Sequence, residues 1–181
     1  MENLKDIYKN KLFLIPFFIS AGVFLLSFLA GVYLHDVLLP IVGDDISIDN
    51  IEVGTIDILK NNMSVFFINV GLSIVTFGIY GIMANAFNAA SLGIIMGIAE
   101  VKFGLKTTLL RIIPHGLFEI PMIIVSTMFG FVVIGLLYRL INKKKVNIKK
   151  FLIQNVFLLV VIALFVVIAA VIEGQISMNL Q

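Results

Sequence analysis

Four stretches of this chain are apolar and long enough to cross a membrane: residues 12–34, 61–99, 112–138 and 151–172, or 23, 39, 27 and 22 residues. His115 and Glu119 are the only acidic or basic residues within them. In hydrocarbon every backbone N–H and C=O must find its partner inside the protein, which leaves helices and closed barrels as the spanning structures. About 20 residues suffice for a helix to span, so runs of this length read as helices and the 39-residue run as two joined tightly. Gly78 and Gly81 offer the turn, with 17 residues of the run before it and 18 after. Composition agrees: 60% of residues are hydrophobic and 13% charged, about half the roughly 25% charged share of a soluble domain. Soluble enzymes and free DNA-binding modules are excluded. The expectation is an all-α, polytopic protein of one membrane domain over 1–181, with spans near 12–34, 61–78, 82–101, 112–138 and 151–172.

Lysine and arginine placement orients those spans, because basic loops stay cytoplasmic. With five spans and the N-terminus inside, nine basic residues are cytoplasmic (Lys5, Lys9, Lys11, Arg139, Lys143, Lys144, Lys145, Lys149 and Lys150) and four are external (Lys60, Lys102, Lys106 and Arg111). Four spans would give six inside against seven outside. Five spans, a cytoplasmic N-terminus and an external C-terminus follow. The first apolar run exceeds the 7 to 15 residues of a secretory h-region, so it is expected to stay as a helix. Residues 35–60 form an external acidic loop carrying Asp36, Asp44, Asp45, Asp49, Glu52 and Asp57. A net charge of +2 and clustered basic residues imply the lipid bilayer and no nucleic acid as partner, and the absence of cysteine removes thiol chemistry.

Polar side chains within the spans are costly and therefore informative. Asn62 and Asn69 are two helical turns apart and share a face, as do Asn85 and Asn88 at a spacing of three. Interhelical hydrogen bonding is the expected use of these asparagines. Ala89, Gly93 and Gly97 form a small-residue ridge at i, i+4 and i+8, which lets another helix approach closely within the bundle or in a homo-oligomer. The fourth span carries Pro114, His115, Gly116, Glu119 and Pro121. His115 and Glu119 lie one turn apart on one face, and Pro121, with Pro114 and Gly116, is expected to kink or break the helix. Three uses of the pair compete. They could form a hydrogen-bonded clamp that pins the fourth span against Asn62 or Asn69. They could ligate zinc, with Glu100, Asn62 or His35 as further ligands, the i, i+4 spacing being that of helical zinc sites. They could also do acid–base work on a peptide or a transported proton. One histidine on that helix and no cysteine favour the clamp, with no cofactor or metal expected.

At these residues the chain resembles the stage II sporulation protein M family. Carrying the resemblance are the pair Asn61-Asn62, then Asn69-Val70-Gly71, then Asn88 to Gly93 and Gly97, and Pro114-His115-Gly116 with Glu119. It covers roughly 61–135. What it implies is a multi-span bacterial or archaeal membrane protein, acting with wall hydrolases in forespore engulfment or, in circular-bacteriocin clusters, in maturation, export or immunity. The role expected is thus a non-enzymatic component of an envelope-remodelling or peptide-export assembly. It would recruit another membrane or envelope protein, or a hydrophobic peptide, through a polar cavity of Asn62, Asn69, His115 and Glu119. An intramembrane metal-dependent hydrolase using His115 and Glu119, and a proton-coupled transporter using Glu119, are the alternatives.

Overall fold

A computed structural model describes residues 11–42, 55–143 and 145–179; of residues 11–13, 39–42, 111–115 and 173–179 only the backbone is described. Over the described residues the elements are five α-helices: α1 Lys11–Val42, α2 Thr55–Val75, α3 Ile79–Phe103, α4 Leu105–Ile141 and α5 Ile148–Asn179. Each contains a stretch long and apolar enough to cross a membrane, at Leu14–Leu38, Thr55–Val75, Ile79–Phe103, Gly116–Ile141 and Ile148–Ile172.

The helices outrun the apolar runs that announce them. His35 and Asp36 belong to α1, and residues 55–60 to the first turns of α2, so the acidic loop is shorter than 35–60. Its middle, residues 43–54, lies outside the described residues. Hydrocarbon length sets only the buried part of a helix; the backbone ladder continues into the interface until a residue stops it.

Between α2 and α3 the stop is three residues long. Phe77 and Gly78 both take positive φ, 53° and 91°. Gly78 pays no Cβ penalty there, and its N–H bonds the Ser73 carbonyl at 2.7 Å. Gly81 is not part of this turn. It lies within α3, buried, where an added Cβ would fall 2.3 Å from Ser73 Oγ and 3.0 Å from the Thr127 Cα.

A second correction concerns α4. The expected helix break at Pro114, Gly116 and Pro121 does not occur, because α4 is helical without interruption for 37 residues, from Leu105 to Ile141. Each proline removes one N–H and with it one bond of the ladder, at Leu110 and Leu117. Transmembrane helices tolerate such losses where neighbours hold the rest, and α4 packs against all four other helices. It is the central post of the bundle. Around it the core gathers Phe24, Phe66, Met122, Met128, Phe129, Val132, Ile162 and Val166 from α1, α2, α4 and α5.

α1 takes α3 as its main partner. A Cβ on Gly31 would lie 2.1 Å from the Ala90 carbonyl oxygen, and one on Gly93 2.3 Å from that of Phe28. The backbones of the two helices touch. The ridge of Ala89, Gly93 and Gly97 is thus consumed inside the chain, against α1, with Ala89 fully buried and Gly97 beneath the ring of His35.

Candidate functional site: a polar seam between parallel helices

Helices one apart along the chain run antiparallel when joined by tight turns, so α2 and α4 run parallel. Their shared seam is built from a heptad on each. Asn62 Nδ2 donates to Glu119 Oε1 at 2.6 Å. Two turns further, Asn69 Nδ2 donates to Ser126 Oγ at 2.5 Å. Seven residues on α2 answer seven on α4, a rise of about 10 Å on both. Ser126 donates its own hydroxyl to the Ile123 carbonyl at 2.9 Å, and Ser73 donates to Asn69 Oδ1 at 3.4 Å.

Just beyond the second rung the α2–α3 turn reaches α4. Thr127 Oγ1 lies 3.0 Å from the Gly81 carbonyl and 2.9 Å from that of Ile123. Gly130 faces the turn so closely that a Cβ would sit 2.3 Å from the Gly78 nitrogen. Asn69, Ser73, Ser126 and Thr127 are all buried. Burying polar groups in apolar surroundings costs free energy unless each is bonded, and here the four are bonded to one another or to backbone.

The remaining asparagines serve elsewhere. Asn85, fully buried, donates to the Ser20 carbonyl of α1 at 2.8 Å, tying the α1–α3 contact. Asn88 donates to Ala84 of its own helix at 2.8 Å. Three residues leave a 60° rotation between Asn85 and Asn88, enough here to give them different partners. The six expected cluster residues therefore divide: Asn62, Asn69 and Glu119 share a seam, Asn85 and Asn88 do not join it, and the His115 side chain lies outside the described residues.

Among the described residues no three of His, Asp and Glu come together as a metal-binding group would require. Glu100 is exposed on α3. His35 pairs with its neighbour Asp36 at 3.2 Å and bonds the Val32 carbonyl through Nδ1.

Ser126, Thr127, Ser73 and Ser20 were not singled out from the sequence. A signal was there for the first: Ser126 follows Glu119 by seven, as Asn69 follows Asn62. Ser20 contributes a carbonyl, which every residue owns, so nothing in its identity marks it.

The family model for stage II sporulation protein M matches residues 17–178. The chain is 32% identical to the uncharacterized protein MJ0793 of Methanocaldococcus jannaschii over 168 residues, 90% of this chain and 94% of that one. It is 29% identical to the uncharacterized protein MJ0706 of the same organism over 136 residues, 73% of this chain and 59% of that one. No solved structure matches. A five-helix bundle capable of spanning a membrane, matched by the family model from α1 into the last turns of α5, places the chain in the stage II sporulation protein M family.

Proposed function

We propose that the protein is a non-enzymatic scaffold of the cell membrane, in a bacterial or archaeal cell, serving an envelope-remodelling or peptide-export assembly. The observation that carries this reading is the closure of the seam: Asn62 bonds Glu119 and Asn69 bonds Ser126, helix to helix. A catalytic carboxylate has to face a substrate or a water; one whose oxygen receives a buried amide from the next helix is placed to hold that helix. Polar residues set the register of the bundle, and a partner protein or hydrophobic peptide meets its outer surface. In this reading the N-terminus is cytoplasmic, the α4–α5 connection faces the cytoplasm and the Gly104 junction faces out, as the lysine and arginine balance requires. No cofactor is needed.

The rival hydrolase is separable by one experiment. Wild type, Glu119→Gln and His115→Asn proteins are purified in detergent, analysed for metal and incubated with hydrophobic peptides. The scaffold reading expects metal well below one equivalent, no cleavage, and native complexes of unchanged size in both variants. About one zinc per chain in wild type, lost in His115→Asn together with peptide cleavage, would overturn it.

A further inference from the structure

α4 passes the α2–α3 turn at Gly130, with the Phe131 ring over Gly78, and does not stop there. It continues as helix from Phe131 to Ile141, eleven residues or about 16 Å beyond the turn. The turn is made for a place without water. The N–H groups of residues 76–79 bond the carbonyls of Leu72, Ile74, Ser73 and Thr76, and that of Tyr80 bonds Thr76 Oγ1. Between Lys60 and Glu100 the chain has no acidic or basic residue. N–H groups bonded within the chain and absence of charge suit a turn submerged in lipid.

The face of α4 that meets the turn at Gly130 runs on through Ile134, Leu137 and Ile141, at steps of four, three and four that keep to one side of a helix. All three are exposed, Ile141 to 79%. Val75, Phe77 and Ile79, at the level of the turn, are exposed as well. The result is an apolar step, with the turn as its floor and the end of α4 as its wall. Past the end of that wall, in the α4–α5 connection and the first turn of α5, come Lys143, Lys145 and Lys149, all exposed, in a part of the chain where residues 120–172 include no Asp or Glu.

We propose that this step binds an anionic phospholipid. Acyl chains lie along Ile134, Leu137 and Ile141 above the submerged turn, and the phosphate meets the ammonium groups of Lys143, Lys145 and Lys149. The apolar wall accepts any lipid tail; the three exposed lysines select the charge. The site stands apart from the seam and does not depend on the scaffold reading.

The test uses the full chain in a neutral detergent, offered equal amounts of phosphatidylglycerol and phosphatidylcholine with the same acyl chains, and native mass spectrometry to count retained lipid. Wild type should retain phosphatidylglycerol in clear excess. Near an anionic surface each basic residue is worth about fivefold, so Lys143→Gln/Lys145→Gln/Lys149→Gln should lower that excess by roughly tenfold or more. Lys102→Gln/Lys106→Gln, at the other end of the bundle, should leave it unchanged. Equal retention of the two lipids by wild type, an unchanged preference in the triple variant, or an equal loss in the control variant would overturn the proposal. So would displacement of the lipid by millimolar inorganic phosphate, which would make the rim a site for small anions.

Discussion

Asn62 and Asn69 hold similar places on one helix, yet their removal should cost different amounts. Asn69 bonds a hydroxyl that keeps its own acceptor, Ile123, and accepts only a long 3.4 Å bond from Ser73, so Asn69→Leu should cost about 0.6 kcal/mol, the average for an interhelical bond in a membrane protein. Asn62→Leu withdraws a donor from a carboxylate oxygen, and losing a bond to a charged or buried partner costs about 1–3 kcal/mol. Glu119→Gln keeps an oxygen for Asn62 to bond and should lie close to wild type, whereas Glu119→Leu should match Asn62→Leu. Thermal unfolding in detergent, with the double variant closing the cycle, checks all four. An equal cost for Asn62→Leu and Asn69→Leu would mean the carboxylate contributes no more than the hydroxyl. The first rung was legible beforehand, because an asparagine and a carboxylate in apolar runs have few partners besides each other. The second was only half legible: serine in a membrane helix so often bonds its own backbone, as Ser126 also does, that its identity says little about a neighbour.

Among the helices, glycines sort by what a methyl group would strike. Gly93→Ala would drive a Cβ to 2.3 Å from the Phe28 carbonyl, while Gly71→Ala would meet nothing within 4 Å. In a helix alanine is favoured over glycine by about 1 kcal/mol. Gly71→Ala should therefore raise the melting temperature or leave it unchanged, and Gly93→Ala should lower it; a rise in both would show that α1 and α3 are not in backbone contact. The ridge on α3 could be read from small residues at every fourth position. Its partner could not, since α1 is apolar on all sides and no stripe of residues tells which way it turns. For α4 the prolines misled, because the rule that they break helices holds for an isolated ladder and not for one clasped on four sides.

For the molecule as a whole, the single crossing made by α4 puts the Gly104 junction and the α4–α5 connection on opposite sides, and five crossings from a cytoplasmic N-terminus put the Gly104 junction outside. The chain has no cysteine, so single replacements Lys102→Cys and Lys145→Cys give clean labels. An impermeant maleimide should reach Lys102→Cys in intact cells and Lys145→Cys only after lysis; labelling of both from outside would refute five crossings. That count was readable from hydropathy and charge alone, and the polar residues already set α4 against α2, whereas the pairing of α1 with the parallel helix α3 was not readable, because the hydrophobic pattern that identifies a span is silent about which other span it chooses. Those pairings also dictate an order of manufacture. The residues of each seam rung are separated by 57 positions, so α2 leaves the ribosome with Asn62 and Asn69 well before Glu119 and Ser126 exist. During that interval the insertion machinery must shelter a helix that lipid alone would hold poorly, and a nascent chain halted after Gly104 should still be found beside it, released to the bilayer only once α4 has been made.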